Sequence, residues 1–348
     1  MPYHLIAFIA SCLVVLWVTP FVQTIGLKIG CVDNPNARKV HAQPMVRLGG
    51  VAIFLGNLVA LLLVWNAGGF GWLPTSEEYR IWGVTVGGIV FFLIGLADDL
   101  FTLPALVRLV AQFVAASLVW VAGVRIENFS MPFLGTVTLG ALSLPLTTIW
   151  LVGMTNAMNF IDGLDGLAAG VAAIAAAVML FVSVFLNQPA AGLLAAALAG
   201  GALGFLRYNF NPAKIFMGDG GAYFMGFTLA GIGVIGLVKG VTTVAVALPF
   251  LILAVPIIDT STVVIERLRR GLSPFQPDKR HLHHRLLKAG LSQRGTVLFI
   301  YALTLWVGSL ALGFAGIPSG WGYAIGASLL MIYAVWMVWQ RTRGLGDE

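Results

Sequence analysis

The sequence is short of charged residues. Only 10% of its 348 residues are Asp, Glu, Lys or Arg, whereas 59% are hydrophobic, and the mean hydropathy is +0.94. An ordinary soluble domain carries about 25% charged residues, so the shortage argues against a soluble globular protein. Binding to nucleic acid is disfavoured as well, because no soluble domain is left to present the net charge of +6.

Cysteine and histidine are also scarce. The two cysteines are Cys12, inside the first apolar run, and Cys31, just after it. They lie at different depths and have no paired or metal-ligand spacing, which excludes a disulfide framework. The chain has five histidines, and three of them fall together at His281, His283 and His284.

Long apolar runs are abundant instead. Runs of about 17 to 24 apolar residues are typical of membrane-spanning helices. We therefore predict an all-α polytopic membrane protein with about eleven transmembrane helices in a single domain, 1–348. The predicted spans are approximately 3–26, 48–66, 80–97, 105–123, 142–159, 167–186, 190–206, 221–238, 241–262, 296–314 and 321–340. The first run is too long for a signal-peptide core, so we expect it to remain as a helix.

The basic residues fall on one side of this topology. Of the 20 Lys and Arg, only Arg80, Arg125 and Lys239 lie on the other side. The positive-inside rule makes the basic side cytoplasmic, with the N-terminus outside and the C-terminus inside. This side can meet anionic membrane lipids or anionic substrates. On the external side, residues 126–140 alternate β-forming residues around a Leu-Gly step, which predicts a short β-hairpin.

Six aspartates lie at the cytoplasmic ends of the predicted spans. They are Asp98, Asp99, Asp162, Asp165, Asp219 and Asp259. A charge at the bilayer centre costs about 2.5 to 3.5 kcal/mol, so ionisable groups in spans are usually functional or paired. Ordinary interface residues are the alternative, but the gathering of six on one face favours a cytoplasmic active-site cleft. The loops expected to form it are 27–47, 98–104, 160–166, 207–220 and 263–295.

The last of these loops combines the three histidines with many Lys and Arg. Three interpretations are open: a zinc site, a solvated basic face, or a clamp for phosphate groups. The spacing lacks cysteine and the flanking cations oppose a metal, which disfavours zinc. Arginine binds phosphate well, and Mg²⁺ prefers one or two carboxylates with substrate phosphates and water. Carboxylates and basic groups on one face therefore indicate a phosphotransferase whose acceptor lies in the bilayer.

Five motifs resemble the polyprenyl-phosphate N-acetylhexosamine-1-phosphate transferases, which belong to glycosyltransferase family 4. They are "DNPNARKVHAQPMVRLGG", "GLADD", "NAMNFIDGLDGLAAG", "NFNPAKIFMGDGGAYFMG" and "RLRRGLSPFQPDKRHLHHRLLKAG". The basic histidine motif is similar to that of the undecaprenyl-phosphate N-acetylglucosamine-1-phosphate transferases. The resemblance implies a bacterial plasma-membrane enzyme. It would transfer N-acetylhexosamine 1-phosphate, chiefly that of N-acetylglucosamine, from the UDP-sugar to undecaprenyl phosphate and release UMP.

The resemblance also implies roles for individual residues. Asp219 would bind Mg²⁺, for which Mn²⁺ could substitute, and Asp98 would act as base on the lipid phosphate, with Asp99 as base or support. Around the reacting groups, the resemblance implies Asp162, His281, His283 and His284. As substrate contacts, it implies Asn159, Gly163, Leu164, Asp165, Asn209, Phe216, Arg285, Lys39, His41 and Arg47. A homodimer is compatible with the resemblance.

Several alternatives stay open at the level of sequence. The donor could instead be a galactosamine- or fucosamine-type sugar nucleotide, or the muramoyl-pentapeptide nucleotide used in peptidoglycan synthesis. A covalent aspartyl-phosphate could replace direct attack by the lipid phosphate. From another class, a secondary transporter would also gather acids in spans, although it predicts acids near mid-membrane and matched halves. A non-catalytic lipid-binding scaffold would not need the carboxylates and the histidines together.

Overall fold

The computed structural model of the chain describes residues 2–33, 44–71, 73–131, 135–237, 243–273, 278 and 280–344. Helices dominate this part of the chain. They are α1 (Pro2–Ile29), α2 (Gly49–Asn66), α3 (Thr75–Phe101), α4 (Ala105–Val121), α5 (Ser143–Ile161), α6 (Leu167–Phe185), α7 (Pro189–Asn209), α8 (Gly218–Ile232), α9 (Thr243–Ile252), α10 (Ala254–Arg269), α11 (Leu282–Lys288), α12 (Gln293–Phe314) and α13 (Gly320–Gly344). The chain is thus an all-α protein, as predicted.

Eight helices of the described ranges are long and apolar enough to cross a membrane. They are α1, α2, α3, α5 with the 3₁₀ turn before it, α6, α7, α12 and the segment Gly320–Val338 of α13. Each coincides with a predicted span. Because several such helices occur in one chain, the protein is a multi-pass membrane protein.

The other three predicted spans correspond to shorter helices. The span at 105–123 is α4, which has 17 residues, and the span at 221–238 is α8 followed by the π-helical turn Gly233–Leu237. The span at 241–262 is divided into α9 and α10 at Leu253. Pro256 lies in the first turn of α10 and has no N–H to bond to the preceding helix, which explains the break. The total of eleven spans stays a prediction.

Two short antiparallel ribbons connect helices. Strands β3 (Asn128–Met131) and β4 (Gly135–Thr138) pair with Asn128 opposite Thr138, which confirms the hairpin predicted at 126–140. A second ribbon, β1 (Val32–Asp33) with β2 (Met45–Val46), was not predicted. Two residues per strand are too few to produce a recognisable alternation in the sequence.

Glycines allow the helices to approach closely where the site forms. A Cβ at Gly95 of α3 would lie 2.5 Å from the Asp219 carbonyl oxygen, and one at Gly50 of α2 would lie 2.2 Å from the Gly221 amide nitrogen. Side chains at these two positions would therefore push α2 and α3 away from the start of α8. The close approach brings the C-terminal end of α3, with Asp98 and Asp99, against Asp219.

Candidate active site

The ends of three helices place polar side chains next to one another. Asp98 comes from the last turn of α3, Asn159 from the last turn of α5, and Asp219 from the first turn of α8. The Asn159 amide donates a hydrogen bond to Asp219 Oδ1 at 2.8 Å, and the carboxyl groups of Asp98 and Asp219 are close neighbours. Asp98 and Asp219, which are 121 positions apart in the sequence, thus form a carboxylate cluster, with Asn159 bonded to it.

Arg108, in the first turn of α4, lies between the two carboxylates. Its Nη1 forms an ion pair with Asp98 Oδ2 and lies 3.4 Å from Asp219 Oδ2. The side chain of Asp98 is 5% exposed, whereas those of Asp219 and Arg108 are 20% and 27% exposed. Asp98 is additionally held by the Leu103 amide, which donates to Oδ1 at 2.7 Å. Arg108 and Asp219 therefore form the solvent-accessible side of the cluster.

The distribution of basic residues predicts that Arg108 lies on the cytoplasmic side, but Arg108 was not predicted as a residue of the site. The sequence does show that Arg108 lies ten residues after Asp98 and shortly after Pro104, which precedes the first residue of α4. A turn at this Pro folds the first turn of α4 back beside the end of α3. The tertiary contact with Asp219 has no signal in the local sequence.

Asp99 faces a different partner from Asp98. Its two oxygens accept hydrogen bonds from the amides of Asp219 and Gly220, both at 3.0 Å, and Arg47 Nη2 lies 3.4 Å from Oδ1. The side chain of Asp99 is 2% exposed. A carboxylate that accepts from the first amides of a helix satisfies groups with no partner inside that helix. The contacts of Asp99 fit the role of support for α8 better than that of a base.

The turn that follows α5 carries Asp162, Gly163 and Leu164. Burial, and then the neighbouring Asp99 carboxylate, raise the pKa of Asp162 to about 7. Leu164 is buried and Gly163 is exposed. A Cβ at Gly163 would lie 2.4 Å from His283 Nε2, so this turn is packed directly against the histidine segment. This contact connects the turn after α5, and with it the carboxylate cluster, to the histidine segment.

Two more predicted residues bind the neighbouring loops together. Asn209 is buried; its Oδ1 accepts from the Gly166 amide at 3.1 Å and its Nδ2 donates to the Ile215 carbonyl at 2.9 Å. Asp165 Oδ2 accepts from Asn211 Nδ2 and from the Ala213 amide, both at 3.0 Å. These contacts fix the 210–217 loop beside the 162–166 turn. Phe216, which is half-buried, lies in that loop two residues before the start of α8.

The three histidine rings lie next to one another at the start of α11. The rings of His281 and His283 are parallel to within 7° with centroids 5.9 Å apart, and those of His283 and His284 are 4.2 Å apart. Burial, followed by the neighbouring His284, lowers the pKa of His283 to about 4. His283 is therefore neutral near pH 7, and it can donate one hydrogen bond and accept another.

Asp259 of α10 anchors this histidine segment. Its Oδ2 lies 2.9 Å from His281 Nδ1, and its Oδ1 accepts from the Leu282 amide at 2.6 Å. Arg285, on the exposed side of α11, instead lines an apolar cavity of about 220 Å³ between α10 and α12. Lys39 and His41 lie outside the described residues.

A divalent cation fits the carboxylate cluster on the donor chemistry present. In the described ranges no three His, Cys, Asp or Glu side chains are arranged to hold a metal ion by themselves. Mg²⁺ is commonly held by one or two carboxylates, with substrate phosphates and water as the other ligands. Asp219, partly exposed and adjacent to Asp98, matches that smaller requirement.

Comparison with known proteins identifies the family of the chain. The model of the family described as glycosyl transferase family 4 matches residues 81–237, which include Asp98, Asp99 and Asp219. A relative from Bacillus subtilis, named probable undecaprenyl-phosphate N-acetylglucosaminyl 1-phosphate transferase, is 42% identical over 86% of this chain and 81% of its own. The chain belongs to glycosyl transferase family 4.

Other members of the family are similar over most of their length. The decaprenyl-phosphate N-acetylglucosaminephosphotransferase of Mycolicibacterium smegmatis is 36% identical over 97% of this chain and 88% of its own. The undecaprenyl-phosphate alpha-N-acetylglucosaminyl 1-phosphate transferase of Escherichia coli strain K12 is 28% identical over 84% of this chain and 79% of its own. Family membership confirms the resemblance inferred from the five motifs.

Proposed function

We propose that the protein transfers N-acetylglucosamine 1-phosphate from UDP-N-acetylglucosamine to undecaprenyl phosphate. The products are undecaprenyl-diphospho-N-acetylglucosamine and UMP, and the reaction would begin the assembly of a cell-envelope polysaccharide. The names of the relatives support both the polyprenyl-phosphate acceptor and the transferred group. The observation that carries the proposal is the cluster of Asp98, Arg108 and Asp219 at the ends of membrane-spanning and neighbouring helices.

Two anionic substrates must meet in this reaction, so their charge has to be neutralised locally. Mg²⁺, held by Asp219 next to Asp98, would supply positive charge to the phosphates. Arg108 adds a guanidinium whose five N–H donors exceed what the two carboxylates use. The partly exposed guanidinium is therefore a candidate contact for an incoming phosphate group.

The remaining residues would position the two substrates. Asp98, oriented by the Leu103 amide, is proposed as the base that keeps the lipid phosphate deprotonated. Asn159 and Asp162 would line the site, and the 210–217 loop would place Phe216 against the uracil. The histidine segment, with Arg285, would hold the diphosphate or the sugar.

In the preferred course, an oxygen of the lipid phosphate attacks the β-phosphorus of the nucleotide sugar in line. A new P–O bond forms, the bond from the β-phosphorus to the bridging oxygen breaks, and UMP leaves with that oxygen. A covalent aspartyl-phosphate is the alternative. A burst of UMP before any lipid product would indicate the covalent course.

The site would lie at the cytoplasmic face of the bacterial plasma membrane, with the N-terminus outside and the C-terminus inside. This orientation is supported by the distribution of Lys and Arg along the sequence. It would also let a water-soluble nucleotide reach a phosphate that is anchored in the bilayer.

The most direct test of the function is to identify the donor. Purified protein is incubated with undecaprenyl phosphate, Mg²⁺ and each of a panel of UDP-sugars, and the lipid product is identified by mass spectrometry. We expect product and UMP with UDP-N-acetylglucosamine. Product only with the muramoyl-pentapeptide nucleotide would replace the donor assignment, and no product with any donor would contradict the function.

The metal assignment is tested with Asp219→Asn. The variant keeps an oxygen that can accept from Asn159 but loses the negative charge that binds Mg²⁺, so we expect UMP release to fall by at least about 100-fold. Chelation of Mg²⁺ should have the same effect on the unaltered protein. The control is Glu127→Gln, which removes an exposed carboxylate from the hairpin region. Near-normal UMP release by Asp219→Asn would refute the assignment.

A further inference from the structure

Asp259 lies outside the carboxylate cluster and has no role in the reaction proposed above. It is buried on α10, about two turns before the basic end of that helix. Both of its oxygens face the histidine segment: Oδ2 lies 2.9 Å from His281 Nδ1 and Oδ1 accepts from the Leu282 amide at 2.6 Å. A buried carboxylate with both oxygens on one segment fixes the position of that segment.

The hydrogen-bond chemistry of this pair also sets the state of the imidazole. An ionised carboxylate only accepts hydrogen bonds, so a close Nδ1 must carry the proton that it donates. In a neutral imidazole, Nε2 is then left as an acceptor. The same hydrogen bond restricts the rotation of the ring, which is buried between Phe160, at 5.9 Å between ring centroids, and His283.

The anchor is connected to the rest of the site through the stacked rings. His281 is parallel to His283, and His283 contacts the turn at Gly163, next to Asp162. A displacement of His281 would therefore also shift His283 and disturb its contact with the 162–166 turn.

We propose that Asp259 is a positioning residue that acts through His281. It holds the imidazole with Nδ1 protonated and Nε2 as an acceptor, and through Leu282 it fixes the start of α11. It does not itself touch the reacting groups. The contribution of Asp259 to transfer rests on the proposed function, whereas its effect on the state of His281 does not.

The central variant is Asp259→Asn. The amide oxygen can still accept from Leu282, but the amide nitrogen is a donor, so His281 Nδ1 must become an acceptor and the proton must move to Nε2. Such an exchange of tautomers leaves the fold intact while impairing the histidine. We expect kcat to fall by about 10- to 100-fold, with KM for the donor changed little, and Asp259→Ala to lose transfer and stability together.

A double-mutant cycle separates this role from a structural one. If Asp259 acts through His281, then Asp259→Asn should change kcat by less than about twofold when His281→Gln is already present. Losses that multiply in the double variant would overturn the proposal. Thr262→Val is the control on the same helix, because the Thr262 hydroxyl donates only to the Ile258 carbonyl one turn away in the described structure.

A spectroscopic readout decides the proposal independently of transfer. In protein labelled with ¹⁵N-histidine, the signals that disappear in His281→Gln belong to His281. We expect them to show a protonated Nδ1 in the unaltered protein and a protonated Nε2 in Asp259→Asn. Unchanged signals in Asp259→Asn would refute the inference even if transfer activity were confirmed, and the expected change would support it even if a donor panel yielded no product.

Discussion

At the scale of single residues, Gly163 forms a close contact between the turn after α5 and the histidine segment. A methyl group there would lie 2.4 Å from His283 Nε2, and the His283 side chain is buried. We expect Gly163→Ala to displace the histidine segment and reduce transfer by about 100-fold, because misplacement by 1 Å has effects of that size. UMP release by the purified variant is the measurement.

Gly153→Ala is the matched control for this substitution. Gly153 lies on α5, ten residues earlier, and a Cβ there meets no atom within 4 Å. Alanine in the middle of a helix is favoured over glycine by about 0.5–1 kcal/mol, so this variant should retain transfer and stability. Equal activity of the two variants would contradict the contact between Gly163 and the histidines.

Arg108 gives a second prediction at this scale. Arg108→Ala leaves the neighbouring carboxyl groups of Asp98 and Asp219 without their counter-ion, and we expect kcat/KM to fall by about 100-fold. Arg108→Lys keeps the charge but loses the planar guanidinium, so it should recover only part of the activity. Steady-state UMP release measures both variants.

The control for Arg108 is Arg125→Ala, which removes an arginine from an exposed ion pair with Glu127. Exposed pairs contribute little to stability, and Arg125 lies in the hairpin region, outside the proposed site. A comparable loss of transfer in Arg125→Ala would mean that the effect of Arg108→Ala is not specific to the cluster.

At the scale of secondary-structure elements, the start of α8 depends on a carboxylate from α3. Asp99 accepts from two amides of α8 at 3.0 Å, although it is far away in the sequence. Asp99→Ala would leave these buried N–H groups without partners, at a cost of about 1–3 kcal/mol each. We expect a lower midpoint of thermal unfolding in detergent, accompanied by loss of transfer.

Asp99→Asn distinguishes support from base chemistry. It keeps one oxygen that can accept from α8, so a supporting residue should retain part of its stability and activity in this variant. If Asp99 is instead the base, Asp99→Asn should lose transfer completely while its thermal midpoint stays close to that of the unaltered protein. Glu127→Gln, in the exposed ion pair with Arg125, controls for the loss of a carboxylate.

At the scale of the whole molecule, the proposed site requires the histidine segment and the external hairpin to lie on opposite faces of the membrane. Single cysteines can test this in a background with Cys12→Ser and Cys31→Ser. We expect an impermeant thiol reagent applied to spheroplasts to label Glu127→Cys, whereas Arg285→Cys should be labelled only after permeabilisation. Both positions are exposed, so access to the reagent is determined by membrane side.

Labelling of Arg285→Cys from outside would place the histidine segment on the external face. The proposed cleft could not then meet a cytoplasmic nucleotide, and the orientation derived from the basic residues would be wrong. Thr102→Cys, at the exposed end of α3, should behave like Arg285→Cys, since the carboxylate cluster and the histidine segment belong to one site.

The sequence by itself determined the class of protein and the family, and it predicted the residues of the proposed site. In the bilayer core, backbone N–H and C=O groups must form their hydrogen bonds within each segment. The long apolar runs of this chain can therefore cross a bilayer only as helices. Aspartates at the ends of these runs and a histidine-rich basic loop are visible without any knowledge of contacts. The division of 241–262 into two helices was missed, since hydropathy does not register the hydrogen bond lost at a proline.

Only the tertiary structure decided how these residues share their roles. Asp98 and Asp99 are adjacent in sequence, but the first faces Arg108 and Asp219 whereas the second supports α8. Arg108 enters the cluster and Asp259 anchors His281 through contacts between helices. Such contacts depend on helix packing through small residues such as Gly95, and local sequence patterns carry no information about which distant side chain a helix end will meet.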